Sequence, residues 1–262
     1  MHYPWWYIEG INAPLLIAFI ATVHVYVAMY AVGGGIILGL ETGRAHKKGL
    51  SDILDYLKSH LKFFILLTLV FGAITGVGIW WIISLASPLA TEALIHVFVF
   101  GWSMEYVLFI TEISAALIFY YYWGKLKPEI HSKIGYIYAA AAWLTLVLIT
   151  GITSFMLTTG GFVENKEFWI AFFNPQTIPQ IIARTGGSLL LASLYIYLHS
   201  SFKLRDNKLL SVIEKRIAAY ALTGALLTLI GGGLWYLNLP ESGKASLTGA
   251  ATLNILMGLV FV

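Results

Sequence analysis

The sequence predicts an all-α, polytopic membrane bundle of about seven transmembrane helices, with its N-terminus on the outer side. Three observations carry that reading. Hydrophobic residues make up 59% of the 262-residue chain and charged residues 11%, against roughly 45–50% and about 25% in soluble domains. The apolar stretches reach the ~20 residues that a helix needs to cross the hydrocarbon layer. Thirteen of the sixteen Lys and Arg residues fall in three loops: Arg44, Lys47, Lys48, Lys58 and Lys62; then Lys125, Lys127 and Lys133; then Lys203, Arg205, Lys208, Lys215 and Arg216. Basic loops alternating with nearly uncharged ones form the positive-inside pattern, so these three face the cytoplasm.

The spans are placed at about 13–40, 63–87, 93–123, 135–158, 178–201, 217–237 and from 247 onward. Ahead of the first, Trp5, Trp6 and Tyr7 read as an interfacial anchor outside the membrane, and the absence of a basic leader argues against a cleaved signal peptide. Between spans one and two, Ser51 to Lys58 is amphipathic and reads as a surface helix leading into span two, with Ser51 as N-cap and Asp52 and Asp55 near its positive end. The largest outer loop, about 159–177, contains Phe173-Asn174-Pro175 and suits covering a cofactor or docking a partner. The last span meets Val262 inside the bilayer, so the chain is expected to continue. Residues 1–262 thus form a single transmembrane domain. Two glycine triplets, Gly33-Gly34-Gly35 and Gly231-Gly232-Gly233, lie in spans one and six. They read as close helix packing, or alternatively as room for a flat macrocycle.

Composition also excludes. The net charge of +3 belongs to the cytoplasmic loops and does not indicate nucleic acid. With no cysteine there is no covalent CxxCH haem, no thiolate-ligated iron–sulfur cluster and no disulfide within the chain. If the chain carries electrons, its cofactor is held non-covalently, as haem b is. No lysine sits within a span, which removes retinal-type Schiff-base pigments.

Ionisable side chains at membrane depth are costly, and each is a functional candidate. Five qualify: His24, His96, Glu105, Glu112 and Arg184. At a rise of ~1.5 Å per residue, His24 lies ~16 Å from the outer edge, His96 ~5 Å, Glu105 ~18 Å, Glu112 ~28 Å and Arg184 ~9 Å. His24 and Glu105 therefore share a level, and Glu112, two turns beyond Glu105 on the same face, approaches the cytoplasm. His24 suits an axial haem ligand, with Glu105 as the other ligand or on the distal side. Glu112 suits a proton path, and Arg184 suits bidentate contact with haem propionates. Each has a plainer reading: an interhelical histidine, a proton or ion path without haem, an interhelical ion pair. A bis-histidine haem needs two imidazoles at one depth, and His24 and His96 differ by ~11 Å while His199 lies at the cytoplasmic end of span five. A singly histidine-ligated haem remains, with carboxylate, methionine or an open position opposite.

Several stretches then resemble subunit I of the cytochrome bd quinol oxidases. Thr22-Val-His24 through Gly33 is similar to that family's first helix with its haem-ligating histidine, followed by a Glu41-Thr42 pair. Phe71-Gly-Ala-Ile-Thr-Gly76 resembles the helix-two segment, and Phe100-Gly101, Glu105 and Phe109-Ile-Thr-Glu112 the paired-glutamate helix. Ser154-Phe-Met156, Asn174-Pro175 and Leu239-Pro-Glu241-Ser-Gly243 resemble the end of helix four, the opening of helix five and the end of helix six. The resemblance implies that Glu105 is the haem-associated glutamate, that Glu112 is the proton-path glutamate, and that His24, Glu105 and Met156 surround the cofactor, with Arg184, a departure from the family, serving a propionate or filling a vacated pocket. It further implies haem b or haem d, a quinol pool, other membrane subunits with cytochrome c or iron–sulfur subunits beside them, and the cytoplasmic membrane of a prokaryote. The departures are specific. Glu105 and Glu112 are one residue closer than in the family, and Ala183-Arg184-Thr185 stands where helix five carries the low-spin haem's histidine. No long quinol-binding loop follows span six within these residues, where a short turn from Pro240 to Ser246 leads on. The reading is a shortened relative that keeps the inner haem region. A cofactor-free proton-conducting subunit and a purely structural anchor are the alternatives from other classes.

Overall fold

A computed structural model describes residues 12–249, and all its regular structure is helical. The helices are α1 (Ala13–Lys48), α2 (Ser51–Ile65), α3 (Gly72–Ala86), α4 (Pro88–Val97), α5 (Val99–Tyr121), α6 (Pro128–Ser154), α7 (Phe162–Asn165), α8 (Phe168–Phe172), α9 (Thr177–Lys203), α10 (Asn207–Leu237) and α11 (Glu241–Gly249). A π-helical turn, Leu66–Phe71, joins α2 to α3, so residues 51–86 form one rod. Six stretches are long and apolar enough to cross a membrane: α1, that rod, α5, α6, α9 and α10. The expected seventh span and the Trp5, Trp6, Tyr7 anchor lie outside the described residues.

Large apolar side chains cover the outer surface, as lipid contact requires; Leu222, Leu229, Val77 and Trp81 are each about two-thirds exposed or more. Little hydrophobic force holds such helices together, so close backbone approach does. A Cβ on Gly33 would lie 1.9 Å from the Ser188 carbonyl oxygen of α9, and one on Gly39 would lie 2.7 Å from the Gly135 carbonyl oxygen of α6. Gly186 meets Gly224 and Thr228 of α10 in the same way. All three glycines of the first triplet are packing residues: Gly34 accepts the Phe64 ring and Gly35 the Tyr138 ring. In the second triplet Gly231 abuts Ala183, while Gly232 and Gly233 face open space.

The segment expected as a surface helix is instead the first turns of the second spanning rod. Ile53, Tyr56, Leu57, His60, Leu61 and Phe64 recur every three or four residues and bury one face in the main core. Leu50, not Ser51, takes the N-cap position. Span three is also not one helix. Pro88 starts α4 immediately after α3, and Phe98, fully buried, breaks α4 from α5. The Thr91 hydroxyl donates back to Ile83 O, and the Phe98 ring packs on Phe155 and Phe168, which fixes both elbows. The large outer loop thus supplies α8 as a lid on the α4–α5 junction. At the same end Asn174 Nδ2 donates to Ser154 Oγ and Ala171 O, and Gln176 Nε2 donates to Asn238 O. Three of the sequence motifs, around Ser154, Asn174 and Leu239, are therefore one hydrogen-bonded knot closing α6, α9 and α10.

Candidate functional site

The larger packed core lies toward the end of the bundle that carries the basic loops, called inner below, and a smaller one around Phe98, Ile152, Ala171 and Phe172 closes the other, outer end. Along α1 no side chain is buried before Val27, although fourteen residues precede it in the helix. The outer part of α1, which contains His24, is loosely packed by comparison.

His24 sits against the start of α3. A Cβ on Gly76 would lie 3.1 Å from its Cε1, so the imidazole rests on a glycine face. Its Nδ1 is 3.0 Å from Thr75 Oγ1. The Thr75 hydroxyl proton is directed to Phe71 O (2.9 Å) and Gly72 O (3.1 Å), so its oxygen is left to accept. That assigns the proton to Nδ1 of His24, which donates to Thr75. Nε2 makes no hydrogen bond to the described residues, and its lone pair is bare. A metal-ligating histidine is held this way, by its other ring N–H. The π-helical turn immediately before Gly72 adds a residue to the rod and turns Gly72, Thr75 and Gly76 onto α1, where Gly72 meets Val27.

The two glutamates follow from one phenol. Tyr138, buried on α6, directs its hydroxyl to Glu112 Oε1 (3.2 Å) and Ala31 O (3.1 Å). Glu112 is thereby level with Ala31. Both α1 and α5 run in the same direction, and α6 packs against each of them. Counting back seven residues, ~10 Å, along both helices brings Glu105 level with His24. Glu105 is half-buried and makes no hydrogen bond to the described residues. A carboxyl group at that depth with no protein partner suits a ligand role.

Arg184 leaves α9 about one turn inside the level of His24, because Gly33 lies against Ser188 and Met29 against Gly187. Its guanidinium turns outward to Thr150 Oγ1 and Thr153 Oγ1 of α6, both at 3.3 Å. By the Gly39–Gly135 contact, Thr150 is level with His24 and Thr153 is about one turn outside it. Among the described residues no carboxylate pairs with Arg184.

Two candidates lie apart from this level. Met156 lies two residues past the end of α6 and is 63% exposed, because the Ser154 knot ends the helix before it. His96 is on α4, beyond the Phe98 break, where its Nδ1 lies 2.9 Å from Glu92 O.

Sequence reasoning assigned no role to three buried polar groups toward the inner end. His60 is fully buried, with Nε2 2.8 Å from the Tyr30 hydroxyl and its ring against His199. His131 donates from Nε2 to Phe119 O, which leaves its Nδ1 to accept from His46 Nε2 at 3.2 Å. Glu41, 3% exposed, binds Arg44, Arg216 and Tyr220. The first two histidines fall just outside the apolar windows; the register of His60 with Ile53, Tyr56 and Phe64 is the signal that points to it.

The model of cytochrome bd terminal oxidase subunit I matches residues 13–240. The chain belongs to this family. The solved bd oxidase from Geobacillus thermodenitrificans has the same fold, with a TM-score of 0.78 at 20% identity over 89% of this chain and 57% of that one. The chain thus spans little more than half the length of that structure. No curated protein sequence matches it. His24, Glu105, Glu112 and Arg184 lie on α1, α5 and α9, three of the six helices long and apolar enough to cross a membrane.

Proposed function

We propose that this chain is the haem-binding membrane subunit of a respiratory oxidoreductase in a prokaryotic cytoplasmic membrane, passing electrons between the quinol pool and oxygen or a partner redox subunit. The observation that carries the proposal is His24, with Nδ1 committed to Thr75 and Nε2 bare at the level of an unpartnered Glu105. The residues fit a b-type haem, or haem d in its place. His24 and Glu105 are the residues that would hold the iron, and the loosely packed outer part of α1 would give a flat macrocycle an apolar wall. Bound there, the haem would supply reversible one-electron chemistry.

The chain's own groups handle protons and position. Glu112, joined to Tyr138 about two turns inward of Glu105, holds a proton between the inner end of the bundle and the haem level. Arg184, with a planar five-donor guanidinium and, among the described residues, only threonine hydroxyls as partners, has donors left for a propionate on the outer side. No histidine of α9 reaches this level, so a second, low-spin haem of the family's usual kind has no ligand from this helix; electrons would then leave through another subunit.

Thr75→Val tests the histidine's support. Valine keeps the shape but removes the acceptor for Nδ1–H, so haem affinity falls by about 10–100-fold while the bundle folds. Haem titration of the purified apo-protein measures this, and unchanged affinity contradicts it. Arg184→Leu is expected to loosen haem or shift its midpoint potential, and Arg184→Lys to restore only part, since the bidentate geometry is lost. Redox titration of the two variants separates these outcomes; identical potentials in both and in the parent would refute a propionate partner.

A further inference from the structure

We propose that the inner end of the bundle binds the phosphodiester headgroup of an anionic phospholipid in a groove between α1 and α10. The site does not depend on haem. A groove of about 520 Å³ opens there, walled by Arg44 and Lys48 of α1 and by Arg216 and Tyr220 of α10. Glu41 forms its base and is the organising charge: Oε1 accepts from Arg44 Nη1 and from the Tyr220 hydroxyl, and Oε2 accepts from Arg216 Nη1. Three cations face one buried carboxylate, which leaves two positive charges for an anion.

The hydrogen-bond inventory agrees with the charge. Each guanidinium has five N–H donors, and among the described residues only the Nη1 group of each arginine is engaged. The Lys48 ammonium has no carboxylate partner among the described residues. Arg216 is partly buried and Arg44 half-exposed, with side chains 27% and 56% accessible, so both present their unused donors to the groove. Fixed guanidinium forks with an ammonium beside them match the tetrahedral oxygens of a phosphate.

The position selects a lipid as the source. The groove lies at the end of the bundle that carries the basic loops, where the last residues of α1 leave the apolar layer. Its floor, Ala219 and Thr223, continues along the same face of α10 into Leu222, Leu226 and Leu229, which are 73%, 59% and 67% exposed. A headgroup held by the arginines therefore has its acyl chains on an apolar helix face. Basic pockets at the ends of spanning helices on the cytoplasmic side recognise anionic headgroups in this way.

The test uses the whole chain, purified in detergent and titrated with phosphatidylglycerol, phosphatidylcholine or inorganic phosphate, with bound lipid counted by native mass spectrometry and thermal stability read in parallel. Phosphatidylglycerol is expected to be retained in preference to phosphatidylcholine and to raise the melting temperature. Lys48→Gln, an exposed change that cannot disturb the core, should weaken its binding about fivefold, and Arg44→Gln with Lys48→Gln about 25-fold, at roughly one charge-contact per residue removed. Equal retention of both lipids, or phosphatidylglycerol binding unchanged in the double variant, overturns the proposal. Stabilisation by inorganic phosphate alone, with no preference for phosphatidylglycerol, also overturns it by assigning the groove to a free anion.

Discussion

Purified His24→Ala protein is expected to lose most or all of its Soret absorption while keeping its helical circular dichroism. The imidazole contributes little to folding: it is half-buried and its close neighbours are Thr75 and the glycine face of Gly76. Alanine at this position therefore removes a ligand without opening the core, which begins farther inward along α1. No other histidine among the described residues can substitute. His96 lies beyond the Phe98 elbow on α4, and His46, His60, His131 and His199 are placed toward the inner end. Adding imidazole should restore part of the band, because the space vacated fits the missing ring. Haem content per chain beside the circular dichroism spectrum measures the effect, and an unchanged Soret band in folded His24→Ala would place the haem ligand elsewhere.

Gly33→Val is expected to cost about 3 kcal/mol or more and to prevent stable assembly of the bundle. A Cβ at this position would be 1.9 Å from the carbonyl oxygen of Ser188 and 3.0 Å from Ala192 Cβ. The first obstacle is backbone, so no rotamer change relieves it, and α1 must separate from α9. That displacement also breaks the register that sets Arg184 near the level of His24. Gly232→Ala is the matched control, because its added methyl meets nothing within 4 Å; a surface change of this kind stays within about 0.5 kcal/mol. Thermal unfolding of both variants in detergent provides the comparison. A Gly33→Val protein as stable as its parent would mean that α1 and α9 are not in this contact.

The membrane bundle could be read from the sequence because lipid imposes simple chemistry: long apolar runs, and basic loops on one side. The shared level of His24 and Glu105 followed from the same depth axis, and the Tyr138 bridge between Ala31 and Glu112 gives that level an independent register. What hydropathy could not show is where helices extend beyond the apolar layer. His60 and His131 lay just outside the apolar windows, yet α2 and α6 begin earlier and bury both. The elbow at Phe98 was equally hidden, since a buried aromatic residue is ordinary in any helix; only its packing against Phe155 and Phe168 marks a break. The role of Thr75 depends on the direction of a hydroxyl proton, which no spacing encodes. Glu41 drew attention only as part of a familiar pair of residues, whereas its burial between two arginines arises from α10, far along the chain.

The most direct test of the haem proposal is the absorption spectrum of freshly isolated, cofactor-replete protein, recorded oxidised and after reduction with dithionite. A Soret band that shifts on reduction, and that falls with Thr75→Val and disappears with His24→Ala, is the predicted result. A spectrum with no haem absorption contradicts the account, and proton flux through proteoliposomes of that haem-free protein would assign Glu105 and Glu112 to a cofactor-free proton path instead.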